Sequence, residues 1–313
     1  MSIINVRGLT KKYADFYAVD HISFSVERGT MLGFLGVNGA GKSTTIHMLS
    51  TLLRPDAGSA ELCGCMVGAQ DSHIRRKIGI VYQQNCLDDL LSVKENLLHR
   101  GILHGATKKE AAIQLMRLSE ILKLEDIFKK RYRTLSGGQK RRCEIAAALM
   151  HTPEILFLDE PTTGLDPATR QDVWHAITNL QRNEKITVFL TTHYMEEVTR
   201  SDNIIILDHG KIIDSGSAYD LKEKYASDKL RLYYSFQSER IIMEKLEPLA
   251  KQNRIIRKKD GLEIVIQNTL EAIPIVQTVR EQLDGFEVIQ GTMDDVFIHA
   301  VESATEEMHK WNN

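Results

Sequence analysis

The chain has 313 residues, of which 42% are hydrophobic and 26% charged, and its formal net charge is −2 at pH 7. This length allows one large domain and a smaller one, and the balanced charge does not favour a general nucleic-acid-binding protein. The four cysteines have neither zinc-site nor disulfide-framework spacing. The sequence lacks an apolar run of membrane-spanning length and an N-terminal signal pattern, so we expect a cytosolic chain that meets a membrane only through a partner.

The first part of the chain is predicted to form strands. Alternating or apolar runs at residues 3–9 and 21–26 are followed by a short apolar strand at 31–35. After a turn signal, another strand is predicted at 59–63. Cys63 and Cys65 alternate in this region, and we interpret them as small packing residues of a strand.

A phosphate-binding loop follows the third of these strands. Residues 36–44 read Gly-Val-Asn-Gly-Ala-Gly-Lys-Ser-Thr and match the G-x-x-x-x-G-K-[ST] pattern. The pattern-bearing positions are Gly36, Gly41, Lys42 and Ser43, with an additional glycine at Gly39. Glycines allow backbone N–H groups to approach phosphate oxygens closely, and the helix predicted at residues 42–53 directs its positive end at them. The alternative is a glycine-rich turn without a ligand.

The side chains after the loop suit a magnesium nucleotide. Lys42 would reach the β- and γ-phosphates, and the hydroxyl of Ser43 would coordinate Mg²⁺. Thr44 would add a hydrogen bond to the α-phosphate.

Residues from about 86 to 150 change to helical patterns, including a helix predicted at 108–124, and we interpret this stretch as an inserted helical subdomain. Within it, residues 135–139 read Leu-Ser-Gly-Gly-Gln. Ser136 is a natural N-cap, and the two glycines expose N–H groups at a helix start, which predicts a second anion site. The basic run at 140–142 is interpreted as a solvated helix face.

Short apolar runs at residues 154–158, 187–190 and 204–207 are typical of parallel strands buried on both faces. The first of them ends in Asp159 and Glu160. Two acids at the tip of a buried strand indicate a functional role, and because neighbouring strand residues point to opposite sides the roles can differ. The alternative is a pair of solvated acids before a turn at Pro161.

The last part of the chain is predicted to form a separate module. From residue 230 onward the order is strand, helix, two strands around residues 259–261, helix, strand and a final helix. This β-α-β-β-α-β order is typical of a ferredoxin-like α+β fold. We expect a domain at residues 228–303 and a polar tail at 304–313.

The phosphate-binding loop and the Leu-Ser-Gly-Gly-Gln segment together resemble the nucleotide-binding subunit of an ABC transporter. Motifs of this family cover residues 1–217, and residues 291–297, Gly-Thr-Met-Asp-Asp-Val-Phe, resemble the tail of its daunorubicin-resistance-type drug exporters. The resemblance implies an α/β P-loop ATPase core with an inserted helical subdomain.

The resemblance also implies roles for residues around the γ-phosphate. Asp159 would serve Mg²⁺ through water, and Glu160 would be the general base for the attacking water. Gln83, at the end of Ile-Gly-Ile-Val-Tyr-Gln, would sense Mg²⁺ and that water, although Gln84 follows directly. His193, in Leu-Thr-Thr-His, would contact the γ-phosphate.

Other matched positions concern the base and a second chain. Tyr13 would stack on adenine, and Asp166 lies in a loop that shapes the partner's site in a dimer. Further nucleotide-binding positions are Asn38, Ala40 and Thr45. The segment that would bind ATP held by a second copy, here called the signature segment, comprises Ser136, Gly137, Gly138 and Gln139.

The function implied is that of an ATPase subunit of an exporter. Two copies would form a head-to-tail homodimer that closes on ATP and Mg²⁺ and drives a separate membrane permease. Drug or antibiotic efflux is favoured, with lipid, peptide, polysaccharide or ion export as alternatives. The C-terminal module would support dimerisation or regulation, or be a packing appendage.

Three non-transport classes fit less well. A ribosome-acting ATPase would normally carry two cassettes in one chain, and a DNA-repair ATPase would place a long coiled coil between the two glycine-rich motifs. A purely regulatory module would be expected to lack Glu160 or His193, and both are present.

Overall fold

The computed structural model describes residues 2–250, 255–258 and 261–311, without the side chains of 249–250 and 306–311. The chain divides into two compact units, residues 1–215 and 216–313. Among the described residues, no helix combines the length and apolar character needed to cross a bilayer.

The first unit contains an antiparallel sheet of four strands in the order β2-β1-β4-β5. These are β1 (Ser2–Tyr13), β2 (Phe16–Glu27), β4 (Ala57–Leu62) and β5 (Cys65–Met66). The prediction that Cys63 lies in a strand is wrong: its φ is 51°, and with Gly64 it makes the turn between β4 and β5. The predicted strand therefore ends at Leu62, where the chain reverses.

A six-stranded sheet carries the strand tips that form the candidate site. Its order is β10-β9-β3-β8-β7-β6, with parallel pairing from β9 to β6. The strands are β3 (Met31–Leu35), β6 (Ile78–Val81), β7 (Ile155–Asp159), β8 (Thr187–Thr192), β9 (Asn203–Asp208) and β10 (Lys211–Gly216). All residues of β3, β7 and β8 are buried, as expected for parallel strands covered on both faces. Helix α6 (Pro167–Glu184) connects β7 to β8, whereas α1 (Lys42–Leu49) follows β3 and α2 (Asp71–Lys77) precedes β6.

Helix α1 is shorter than the sequence predicts. It ends at Leu49 rather than at residue 53, because Ser50 caps it and Thr51 adopts a φ of 66°. A residue in the left-handed region cannot continue a right-handed helix.

The helical subdomain is confirmed between β6 and β7. It comprises α3 (Val93–Leu103), α4 (Lys108–Leu122) and α5 (Gly137–Leu149), each of which begins with a capping box. Apolar residues at helical spacing, such as Leu97 and Leu115, pack into one core with β7 residues Leu156 and Leu158. The insertion is therefore packed on the parallel sheet.

The second unit is an antiparallel sheet with two helices on one face, preceded and followed by a helix. Its elements are α7 (Ala218–Tyr225), β11 (Asp228–Tyr233), α8 (Glu239–Ala250), β12 (Ile255–Lys258), β13 (Gly261–Ile266), α9 (Ala272–Val279), β14 (Gly285–Ile289) and α10 (Met293–Trp311). The sheet order β12-β13-β11-β14 confirms the predicted ferredoxin-like arrangement. Helix α10 continues to Trp311, beyond the start of the predicted polar tail, and residues 259 and 260 lie outside the described residues.

Candidate active site

The phosphate-binding loop connects the tip of β3 to the start of α1. Gly41 caps α1 with φ 105° and supplies no side-chain cap, so the first-turn N–H groups face outward without a side-chain acceptor. A Cβ atom at Gly41 would lie 2.3 Å from the carbonyl oxygen of Ala18, which leaves room only for glycine. The loop therefore presents N–H donors and a helix N-terminus, the arrangement that binds phosphate.

Lys42 is the cation of this loop. Its side chain is buried, and Nζ donates hydrogen bonds to the carbonyl oxygens of Gly36 at 2.7 Å and Val37 at 3.0 Å. Burial lowers the pKa of Lys42, while the carboxylates of Glu160 and Asp159 oppose this shift. The ammonium group is thus held at the loop, where an anionic ligand would compensate its lost hydration.

Asp159 ends β7 beside the phosphate-binding loop. Its buried carboxylate accepts hydrogen bonds at Oδ1 from the hydroxyls of Ser43 at 3.2 Å and Thr191 at 2.6 Å. Serine hydroxyl and carboxylate oxygens are ligands that Mg²⁺ takes together with waters and substrate phosphates. Within the described part of the chain, no cluster of three or more His, Cys, Asp or Glu side chains could hold a metal ion. The donor set fits a nucleotide-bound Mg²⁺.

Glu160 has a backbone conformation that is rare for its residue type, with a φ of 47°. Its Oε2 accepts hydrogen bonds from Gln83 Nε2 at 3.3 Å and Thr163 Oγ1 at 3.1 Å, and Oε1 lies 4.0 Å from Lys42 Nζ. The left-handed backbone turns the chain after the strand, and the carboxylate lies among polar side chains.

His193 follows β8 at the same edge of the sheet. Its Nδ1 lies 3.2 Å from Glu160 Oε2 but lacks the geometry of a hydrogen bond, and this buried nitrogen has no hydrogen-bond partner among the described residues. The imidazole therefore retains unused hydrogen-bonding capacity beside Glu160.

Lys42, Glu160 and His193 line one open cleft of about 700 Å³, whereas Asp159 lies behind Ser43 and is not part of the lining. Its lining consists of Tyr13, Phe16, Ala18, Asn38, Gly39, Gly41, Lys42, Ser43, Thr44, Gln83, Glu160, Thr163 and His193. Of the two adjacent glutamines, Gln83 lines the cleft and Gln84 does not. Ala40 and Thr45 are buried outside the lining, and the Thr45 hydroxyl donates to the carbonyl oxygen of Gly41 at 3.0 Å. Thr45 therefore supports the loop from behind.

The signature segment begins α5 and does not line this cleft. Ser136 is the N-cap, as the sequence predicts: its Oγ accepts from the Gln139 N–H at 3.4 Å, and its own N–H donates to Gln139 Oε1 at 3.1 Å. Gly137 lies beside Leu165: a Cβ atom added at Gly137 would be 3.2 Å from Leu165 Cδ2. Asp166 caps α6 by accepting from the Thr169 N–H at 3.0 Å.

Comparisons with known proteins identify the family. A family model described as ABC transporter matches residues 19–163. The chain is 37% identical over 309 residues to the daunorubicin/doxorubicin resistance ATP-binding protein DrrA of Streptomyces peucetius, covering 94% of this chain and 91% of that protein. The chain belongs to the ABC transporter ATP-binding family.

Two further relatives agree with this assignment. The doxorubicin resistance ATP-binding protein DrrA of Mycobacterium tuberculosis is 44% identical over 222 residues, covering 70% of this chain and 67% of that protein. A dimeric post-hydrolysis structure of the ATP-binding cassette MJ0796 bound to ADP and Pi superposes with a TM-score of 0.61 at 28% identity, covering 68% of this chain and 98% of the other. As a member of this family, the 313-residue chain binds ATP and hydrolyses it.

Sequence reasoning missed two threonines that hold the acidic residues of the ABC cassette's site. Thr191 bonds Asp159 and also accepts from the Glu160 N–H, and Thr163 bonds the Glu160 carboxylate. Both are threonines next to recognised motifs, Leu-Thr-Thr-His and Asp-Glu-Pro-Thr-Thr, so their proximity in sequence was the available signal.

The interpretation of residues 140–142 as a solvated face is wrong for Arg141. This side chain is buried and its guanidinium donates only to backbone carbonyl oxygens of neighbouring segments. Those carbonyl oxygens belong to residues distant in sequence, so the basic run at 140–142 does not predict the contacts of Arg141.

Proposed function

We propose that the chain is the ATP-hydrolysing subunit of an exporter, that two copies form a head-to-tail dimer, and that a separate membrane permease carries the cargo. One observation supports the proposed dimer. The chain has two glycine-rich helix starts suited to anions, and only the first opens into the cleft with Lys42, Glu160 and His193. The signature segment is therefore available for a nucleotide held by the second copy.

Within the cleft, this chain's residues would bind and orient ATP. Tyr13 would stack on the adenine ring, the loop N–H groups and Lys42 would hold the β- and γ-phosphates, and Thr44 the α-phosphate. Ser43, Asp159 through water, and Gln83 would hold Mg²⁺. The ion would supply positive charge to phosphate oxygens in the transition state.

Glu160 would act on the attacking water. Its carboxylate would accept a hydrogen bond from the water and take the proton as the water oxygen bonds to the γ-phosphorus and the bond to the ADP oxygen breaks. His193, with its unpartnered Nδ1, would contact the γ-phosphate. The products are ADP and phosphate, and phosphate release would allow the dimer to reopen.

The cargo is proposed from the relatives' names, which refer to daunorubicin and doxorubicin resistance. We propose drug or antibiotic efflux, with the chain bound to the permease at the cytoplasmic face of the membrane. Lipid, peptide, polysaccharide or ion export would use the same ATPase chemistry, because the permease selects the cargo.

The testing experiment measures ATPase activity against chain concentration, beside a Glu160→Gln variant run on a sizing column with Mg-ATP. We expect activity to rise faster than linearly and the variant to elute as an ATP-bound dimer. Strictly linear activity with a monomeric variant would contradict self-assembly of the isolated chain. Wild-type activity in the variant would contradict the assignment of Glu160 as the base.

A further inference from the structure

Arg141, on α5, binds the backbone around the catalytic strand tip. Its buried guanidinium donates to the carbonyl oxygens of Asp159 and Glu160, each at 3.0 Å, and of Pro161 at 2.6 Å. Its Nη1 donates to the carbonyl oxygen of Tyr82 at 2.5 Å, immediately before Gln83 in the chain. One side chain therefore joins three consecutive carbonyls after β7 to the segment that carries Gln83.

Glu144, one helical turn further along α5, holds the other end of that segment. Its buried Oε1 accepts from the N–H groups of Cys86 at 2.8 Å and Leu87 at 3.1 Å, and from the Tyr132 hydroxyl at 2.7 Å. Residues at i and i+3 lie on the same helix face. Residues 82–87 are consequently fixed at both ends by one face of α5.

The backbone of Glu160 makes this support necessary. A left-handed non-glycine residue carries strain and persists where its surroundings determine it. The Glu160 N–H donates to the Thr191 carbonyl oxygen at 3.1 Å, while Arg141 fixes the carbonyls on both sides of Glu160 as well as its own.

We propose that Arg141 and Glu144 are positioning residues that hold Gln83 and Glu160 in register for hydrolysis and tie both to the helix that begins at the signature segment. The roles of Gln83 and Glu160 rest on the proposed function. Because α5 begins at Gly137, a shift of this helix on closure over a second nucleotide is transmitted to residues 82–87 and 159–161 through these two side chains.

Only arginine supplies this set of donors. Its planar fork carries five N–H groups in fixed directions, whereas the ammonium of lysine is a single point with three donors. Arg141→Lys thus keeps the positive charge but cannot reproduce the fixed directions of the guanidinium donors. The matched control is Arg142→Lys, because Arg142 lies next along the same helix and donates to Leu122 and Lys123 carbonyls at the end of α4.

The kinetic test compares kcat with ATP affinity in these two variants. Arg141→Lys is expected to lower kcat about 10- to 100-fold, since sub-ångström misplacement of reacting groups is costly. Its Kd for ATP, measured with a fluorescent analogue, should stay within about twofold, because Arg141 contacts none of the phosphate-binding loop. Arg142→Lys should leave both values near wild type.

Hydrogen–deuterium exchange supplies a readout independent of activity. In Arg141→Lys, and in the isosteric Glu144→Gln, the amides of residues 83–87 and 159–163 should exchange faster while those of residues 36–45 do not change. Unchanged exchange in both variants would overturn the proposal, as would faster exchange with unaltered kcat. If Glu160→Gln retains activity, the base assignment fails, and the exchange pattern still decides whether the two residues hold these segments.

Discussion

The two glycine-rich helix starts of the first unit use the same local physics for different tasks. At α1 the cap is Gly41, which supplies no side-chain acceptor, so the first-turn N–H groups are left for a ligand. At α5 the cap is Ser136, whose hydroxyl and the side chain of Gln139 already satisfy two donors in a capping box. The first start is open to phosphate, and the second is a stable helix end with donors to spare.

The lysines near the two helix starts also have different surroundings. Lys42 at α1 is buried among its own loop carbonyls, 4.0 Å from Glu160. Lys140 near the start of α5 lies over the Tyr132 ring at 5.2 Å and 3.8 Å from Asp89. We therefore propose that α1 belongs to the catalytic site of its own chain, and that α5 offers surface donors to a nucleotide held by a second copy.

The largest effect should follow loss of the α1 cation. Lys42→Met keeps most of the length of the side chain but removes the charge at the phosphates, and we expect kcat/KM for ATP to fall about 100- to 1000-fold. Lys140→Met is the matched change at α5 and should alter kcat/KM less than about threefold. Similar losses in both variants would break the distinction between the two starts. Steady-state phosphate release measures both.

Loss of the Ser136 cap of α5 should lower ATPase activity without weakening ATP binding by the monomer. Ser136→Ala removes a hydroxyl that would contact the second copy's ATP, so ATPase activity should fall about 10-fold or more. ATP affinity of the monomeric chain should not change, since Ser136 does not line the cleft. A weaker helix cap would also lower the free energy of unfolding by about 1 kcal/mol. Impaired ATP binding by the isolated monomer would contradict the assignment.

The glycines at the two starts differ in what surrounds them. An added Cβ at Gly39, in the phosphate-binding loop, would meet nothing within 4 Å, whereas one at Gly138 would lie 2.0 Å from Thr169 Cγ2. Gly138→Ala should therefore lower the free energy of unfolding by about 1–3 kcal/mol through overpacking. Adding Thr169→Ser removes the colliding methyl group and should restore most of the loss. Urea unfolding of the single and double variants decides this, and absence of rescue would show that Gly138 serves another need.

Local patterns in the sequence predict the parts of this cassette that are local in the structure. The phosphate-binding loop, the Ser136 cap and the buried strand ending in Asp159 each depend on a few adjacent residues. The ferredoxin-like order of the second unit likewise follows from alternating patterns and turn signals.

The missed features depend on contacts between distant segments or on unmarked turns. Arg141 donates to carbonyl oxygens of residues 18 to 59 positions away in the sequence. A basic run alone predicts solvated side chains, so the burial of Arg141 could not be predicted. The Cys63-Gly64 turn lacks the usual Asn-Gly or Asp-Gly signature. Thr51, which stops α1, is an ordinary residue in a left-handed conformation that only the folded surroundings require.

The smallest effect should arise at the exposed aromatic ring that lines the cleft. Tyr13 is 49% exposed, so its ring would stack on adenine with one face in water. Tyr13→Ala should raise the Kd for ATP about fivefold, equivalent to about 1 kcal/mol, with kcat nearly unchanged. Tyr13→Phe keeps the ring and should bind as wild type. If Tyr13→Ala binds ATP normally while Phe16→Ala does not, the stacking role belongs to Phe16, the other exposed aromatic ring that lines the cleft.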